Sequence, residues 1–140
     1  MPIDNIFGTT VNLLARNIDL RSRSHTMISA NLANVETPNY TPTALSFEDE
    51  LKGALKGKKG GSPAITHPKH IPLKGQSDSL QQVQGQVIET PSLSPGKDSN
   101  GVELEAEMSR MAENQIMYNA SIQILAKKFE GIRSAIRENK

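Results

Sequence analysis

The stretch GVELEAEMSRMAENQIMYNASIQILAKKFEGIRSAIRENK, residues 101–140, decides the fold of this chain. From Leu104 onward, apolar side chains alternate at spacings of four and three over more than four heptads, and only Gln115 interrupts them, which is typical of a coiled-coil seam. The seam residues are Leu104, Met108, Met111, Tyr118, Ile122, Leu125, Phe129, Ile132 and Ile136. A helix of about 35 residues is roughly 50 Å long. This is too long for the core of a small compact domain, so a second long helix must lie against it.

The N-terminal part of the chain contains a helix with the same kind of seam. Its apolar seam residues are Phe7, Val11, Leu14, Ile18, Ile28 and Leu32. Arg21 and His25 occupy two further seam positions. Either they are solvated near a frayed helix end, or they set the register of packing or contact another subunit. We prefer the second interpretation, with Glu113 or Gln115 of the last helix opposite them.

This N-terminal helix carries more apolar surface than one partner helix covers. A second apolar row repeats every seven residues beside the seam, so a further part of the chain must pack there. The members of the second row are Ile6, Leu13, Leu20 and Met27. The helix is predicted to span residues 5–33 with Asp4 as its N-cap, and Pro38 ends it. In the turn that follows, Asn39 is the residue that best tolerates a positive φ.

The middle of the chain differs in composition from both helices. Residues 41–101 contain eight of the ten glycines and six of the eight prolines, which is typical of irregular structure. Within this segment, Leu45–Leu55 is predicted to form a short amphipathic helix. Gln81–Thr90 is predicted to form a weak strand or a hairpin around Gly85.

Because the two long helices lie at opposite ends of the chain, their simplest arrangement is an antiparallel hairpin. We therefore predict a mainly α fold, in which residues 1–40 and 101–140 form an antiparallel coiled-coil hairpin. An irregular, partly β segment, residues 41–100, connects them. Asn100 and Glu103 have the spacing of a capping box at the start of the last helix. A two-helix hairpin is marginal in water, so the subunit is expected to become fully ordered only in an assembly.

The overall composition excludes several classes of protein. Sixteen basic and fifteen acidic residues give a net charge of +1, so the chain has no global attraction to nucleic acid. No run approaches eighteen consecutive apolar residues, and Met1–Leu14 lacks the pattern of a secretory signal. The absence of cysteine excludes disulfides and thiol catalysis.

The sequence shows no catalytic pattern. His67 and His70 suggest a metal site or a metal-dependent hydrolase, but Pro68 lies between them and no nearby carboxylate completes a ligand set. We interpret both histidines as polar loop residues. The lysines of KGKKGGSP, residues 56–63, are interpreted as part of a solvated loop rather than as a site for an anionic partner. We therefore predict neither an enzyme nor a cofactor.

The segment SANLANVETPNY, Ser29–Tyr40, resembles a known signature. Axial proteins of the bacterial flagellum, which are rod, hook and hook-associated proteins, close their N-terminal helix with Asn-x-x-Asn-x-x-Thr-Pro-Gly-Tyr. The matching residues here are Asn31, Asn34, Thr37, Pro38 and Tyr40. Asn39 replaces the usual glycine, a mild departure because asparagine also adopts a left-handed backbone. Further matching segments, including Asn100–Met108, extend the resemblance across the chain.

The resemblance implies a non-catalytic structural subunit of the proximal rod of the flagellar basal body. Such a subunit transmits torque. The resemblance also implies that the five matching residues form an assembly turn. Such proteins stack helically and leave the cytoplasm through the flagellar type III export apparatus without a cleaved signal. The implied partners are further copies of the chain, rod proteins of the FlgC and FlgF types, the rod-to-MS-ring adaptor FliE and export-gate proteins. The resemblance also implies that Phe47 and Leu51 form an export-gate signal, since they have the spacing that the gate recognises in early substrates of this class.

Two alternative interpretations stay open from the sequence. One is another short rod protein of the same family, of the FlgC type. The other is a cytosolic helical adaptor or chaperone, which would bind a partner helix through the wide apolar surface of the N-terminal helix.

Overall fold

The computed structural model describes residues 8–56, 78–92 and 97–138. Two long helices are the first and last elements, and four short elements lie between them in sequence. In chain order the elements are α1 (Thr9–Ala33), β1 (Thr43–Ser46), α2 (Glu48–Leu55), α3 (Asp78–Gln81), β2 (Gln86–Glu89) and α4 (Leu104–Glu138). This confirms the predicted mainly α class, with long terminal helices and a partly β middle segment.

The helices α1 and α4 form an antiparallel pair. Near the end of α1, Asn31 Nδ2 lies 3.0 Å from Glu107 Oε2, close to the start of α4. Further toward the start of α1, Asn17 Nδ2 lies 2.8 Å from Ser121 Oγ, near the middle of α4. No helix within the described residues is both long enough and apolar enough to cross a lipid bilayer.

The helix α1 begins later than predicted. Gly8 is its N-cap, with φ of −56° and ψ of 169°, so helical geometry starts at Thr9 and not near residue 5. The low helix propensity of glycine accounts for this boundary. Asp4, the predicted N-cap, and Phe7, a predicted seam residue, lie outside the described residues. The C-terminal end of α1 at Ala33 agrees with the prediction.

The apolar core lies between α1 and the short elements, which together we call the lobe (β1, α2, α3 and β2). Leu20 of α1 is fully buried and forms one cluster with five lobe residues. Those five are Leu45, Phe47, Leu51, Leu80 and Val83. Leu13 and Met27, from the same row of α1, pack at the edge of this cluster. The lobe therefore packs against Leu13, Leu20 and Met27, the described members of the second apolar row, and the adaptor alternative loses the free surface that it required.

The lobe contains a two-stranded antiparallel sheet in which β1 pairs with β2, with Thr43 opposite Glu89. The strand β2 lies inside the segment predicted as a strand, and Gly85 precedes it with φ of 72°. The sequence patterns did not predict β1, because its segment overlaps the predicted helix from Leu45. Burial follows the two-residue period of a strand here, since Leu45 and Phe47 are buried and the residue between them is exposed.

The cluster around Leu20 should dominate the stability of the subunit. We expect Leu20→Ala to lower the free energy of unfolding by about 2–5 kcal/mol, because the substitution leaves a cavity at a fully buried site. Val87→Ala is the matched control: Val87 is 58% exposed on β2, and its truncation should change stability by less than about 0.5 kcal/mol. Urea denaturation monitored by circular dichroism measures both variants. Equal losses would contradict the position of the core.

Candidate assembly interface

Asn31 joins three segments of the chain. Its side chain is completely buried, and its Nδ2 donates to Thr43 O at 2.8 Å and to Glu107 Oε2 at 3.0 Å. Its Oδ1 accepts from Thr43 N at 3.1 Å and from Tyr40 Oη at 3.2 Å. An amide offers two donor hydrogens and two acceptor lone pairs, so Asn31 is fully satisfied. One side chain thus connects α1 to the start of β1 and to α4.

Asn34, Thr37 and Pro38 shape the turn that follows α1. Asn34 Nδ2 donates to Ala30 O at 2.8 Å, and Thr37 Oγ1 donates to Asn34 Oδ1 at 3.1 Å. These bonds satisfy backbone and side-chain groups at the helix end, as short polar side chains commonly do. Pro38 is exposed, and Asn39 has φ of 58°, the left-handed conformation predicted for it. Asn31 therefore lies in the last turn of α1, and the other four predicted residues lie in the bend that follows or directly after it.

Asn100 caps the end of α1, and this corrects the predicted capping box at the start of α4. Its Nδ2 lies 2.7–2.9 Å from three carbonyl oxygens after α1, and its Oδ1 accepts from Val102 N at 2.7 Å. The three carbonyls belong to Asn34, Val35 and Thr37. The capping prediction was wrong because α4 begins only at Leu104, and the Asn100 Oδ1 that would cap it accepts from Val102 N instead.

Backbone contacts hold the segment before α4 against the same turn. Asn39 N donates to Asp98 O at 3.1 Å, and Gly101 N donates to Tyr40 O at 3.0 Å. A Cβ atom at Gly101 would lie 3.0 Å from Pro42 Cδ, a tight contact, so glycine favours this close approach. We call this arrangement of the Asn31 and Asn100 contacts the joint. It fixes where the chain leaves α1 and where it enters α4.

Arg21 lies buried on the seam of α1. Its Nη1 donates to Asn114 Oδ1 at 3.3 Å, and Asn114 Nδ2 donates back to Arg21 O at 2.9 Å. Its Nη2 forms an ion pair with Glu48 at 3.2 Å, and its guanidinium lies 5.5 Å from the centre of the Phe47 ring. Arg21 therefore sets the packing of α1 against both α4 and the lobe. Its partners are Asn114 and Glu48, which corrects the expected pairing with Glu113 or Gln115.

Three polar residues of α4, spaced seven apart, face α1. Glu107, Asn114 and Ser121 are all buried and contact Asn31, Arg21 and Asn17 respectively. Glu107 also forms an ion pair with Arg110. Apolar periodicity did not predict this polar row, because it does not detect buried polar side chains. A repeat of polar residues every seven positions beside the apolar seam was the available signal.

The structure divides the predicted seam of α4 into two sets. Met111, Tyr118, Leu125 and Ile132 are partly buried, in register with the polar row. The second set is exposed by 40–68%: Leu104, Met108, Ile122, Phe129 and Ile136. On the predicted seam of α1, Val11 and Leu14 are buried and Ile18 is partly buried. The spacing predicted one seam on α4. The structure shows two rows instead, and only the partly buried row lies on the side of α4 that faces α1.

The other predicted residues have varied positions. Phe47 and Leu51 are buried in the lobe cluster. His25 is partly buried, and its Nδ1 has no hydrogen-bond partner among the described residues. His67 and His70 lie outside the described residues, and the described part of the chain contains no group of three or more His, Cys, Asp or Glu side chains that could hold a metal ion.

Comparison with known proteins gives matches over nearly the whole chain. The flagellar basal body rod protein FlgB of Borrelia hermsii is 27% identical over 135 residues, which cover 95% of this chain and 99% of that protein. FlgB of Escherichia coli (strain K12) is 25% identical over 124 residues, or 86% and 87% of the two chains. FlgB of Cereibacter sphaeroides is 27% identical over 131 residues, or 94% and 96%. No protein-family model matches the chain. These matches confirm the resemblance to flagellar rod proteins.

The three carbonyl contacts of Asn100 make a sharp test of the joint. We expect Asn100→Asp to lower the free energy of unfolding by more than about 2 kcal/mol, because a carboxylate oxygen would replace the amide donor and face three acceptors. Asn119→Asp makes the same chemical change at an exposed site of α4 and should alter stability by less than about 0.5 kcal/mol. Thermal and urea denaturation compare the two. Equal stability of both variants would refute the capping role.

Proposed function

We propose that this flagellar rod protein, similar along its length to FlgB, is a structural subunit of the proximal rod of the basal body. In this role it transmits torque through packed helices and links the export-gate and MS-ring end to the distal rod. Its proposed partners are further copies of the chain, rod proteins of the FlgC and FlgF types, the adaptor FliE and export-gate proteins. The role is mechanical and requires no catalytic group.

The exposed row of α4 is the observation that carries this proposal. Five large apolar side chains are 40–68% exposed on one side of a single helix. They are Leu104, Met108, Ile122, Phe129 and Ile136. From Met108 onward the row repeats every seven residues, with Gln115 as its one polar member, which is the geometry of a contact with another long helix. Contiguous exposed apolar surface of this kind is typical of a protein–protein interface.

The joint supports the mechanical part of the proposal. A subunit that transmits torque needs a fixed angle between its helices and its lobe. Asn31 connects α1, β1 and α4 through one buried amide, and Asn100 connects the end of α1 to the start of α4. Rotation of one segment relative to the others would leave several buried polar groups without partners, which is unfavourable by about 1–3 kcal/mol for each group.

Ile122→Asp tests the assembly role of the exposed row. Ile122 is 40% exposed, so the isolated subunit should keep its helical content, whereas a carboxylate in a helix–helix contact is strongly unfavourable. We expect loss of swimming motility and of the protein from purified basal bodies. Asn119→Asp places the same charge on an exposed position of the same helix and should leave both intact. Normal motility of Ile122→Asp would contradict the proposed interface.

We also propose that Phe47 and Leu51 form the export-gate signal. Both side chains are buried, so the gate would have to recognise them before the lobe folds. We expect Phe47→Ala to reduce the amount of exported protein by several fold. Leu45→Ala is the matched control, since Leu45 is buried in the same cluster and lies outside the Phe-x-x-x-Leu pattern. Immunoblotting of exported and cellular fractions measures both. Equal export of the two variants would mean that the effect is one of stability, not of recognition.

A further inference from the structure

A second exposed side of α4, distinct from the exposed row, has a symmetric pattern that we call the outer face. Its residues are Ser109, Glu113, Ile116, Ala120, Ile124, Lys127 and Gly131, and all are exposed. The steps between them are 4-3-4-4-3-4, which read the same in both directions from Ala120. The residue types are also matched about this centre, with isoleucine four positions away on each side and opposite charges seven positions away.

The outer face is apolar at its centre and charged on both sides. Ile116 is 68% exposed and Ile124 is 51% exposed. No charged residue occurs between Glu113 and Lys127. Neither of these two residues forms an ion pair within the described part of the chain. They are fourteen residues apart, about 21 Å along the helix, so they are too distant to pair with each other in one subunit.

We propose that the outer face of α4 binds the same face of a second copy of this chain, antiparallel, with a two-fold axis at Ala120. In this arrangement Glu113 lies opposite Lys127 of the partner subunit, and the symmetric pair repeats the contact. Ile116 lies opposite Ile124 of the partner subunit, again twice. Alanine at the axis, with serine and glycine toward the ends, lets the two helices approach closely.

The charges select this arrangement over a parallel one. In a parallel pair without stagger, Glu113 would face Glu113 of the partner subunit and Lys127 would face Lys127 of the partner subunit. Like charges in contact oppose association, whereas the antiparallel pair forms two opposite-charge contacts. In the antiparallel pair, the uncharged segment between Glu113 and Lys127 of one helix also lies against the same segment of the partner helix.

A two-fold contact closes on itself and does not extend into a filament. The dimer therefore belongs to the subunit in solution, where it covers the exposed isoleucines of the outer face. The inference does not depend on the proposed function, because the dimer is measured with purified protein whereas the rod role is measured by motility. Either can fail without the other.

A single cysteine locates the axis. The chain has no cysteine of its own, so Ala120→Cys introduces one thiol per subunit. At the axis the two thiols meet, and a disulfide requires Cα atoms within about 7 Å. We expect mild oxidation to convert Ala120→Cys to a covalent dimer on a non-reducing gel. Ala112→Cys, also exposed on α4, should remain monomeric, since its counterpart across the axis lies about 24 Å away along the helix. Equal cross-linking of both variants, or none of Ala120→Cys, would overturn the proposal.

Charge reversal tests the pairing without cysteine. We expect Glu113→Lys and Lys127→Glu, each alone, to weaken the dimer by about tenfold or more, and the double variant to restore its affinity to within about threefold. Sedimentation equilibrium over a range of concentrations measures the dissociation constants, and circular dichroism verifies that each variant is folded. A wild-type chain that stays monomeric throughout, or a double variant as weak as the single ones, would overturn the proposal.

Discussion

The amide of Asn31 holds three segments of the chain together, and the rest of the structure depends on it. All four of its hydrogen-bonding positions are used, by the start of β1, by Tyr40 and by Glu107 of α4. A buried amide is tolerated only when such partners are present, so no one of these segments can move independently. Asn100 applies the same constraint to the turn after α1, where it binds three backbone carbonyls. The small apolar cluster packs around this polar framework.

Much of the fold follows from patterns that are local in sequence. Heptad spacing predicted both long helices, and the surplus row that includes Leu20 correctly indicated a further layer of packing. The polar contacts between α1 and α4 could not be predicted in this way. Glu107, Asn114 and Ser121 would ordinarily be assigned to solvent, and each is buried only because a particular partner lies across the helix pair. The hydrogen bonds of Asn100 could not be predicted for the same reason, since its acceptors lie far away in sequence.

The packing of α4 explains why its apolar pattern was easy to detect, although the pattern did not indicate which side of the helix contacts α1. The side facing α1 is partly polar, whereas Ile122 and Ile116 point to two other sides and stay exposed. A helix that is apolar on several sides is typical of an element surrounded by neighbours. In a chain whose matched relatives are flagellar rod proteins, the strongest apolar spacing thus marks surface available to neighbours rather than the core of one subunit.

The polar contacts between α1 and α4 also have a consequence for the order in which the chain folds. The bond between Asn31 and Glu107 spans 76 residues, and the bond between Asn17 and Ser121 spans 104. Contacts of such high sequence separation require closure of a long loop before any of them is gained, which slows folding. A chain emerging from its N-terminus can form the cluster between α1 and the lobe, whereas the polar partners of α1 on α4 become available only with the last helix. The pairing of α1 with α4 is therefore the last step that the complete chain can take.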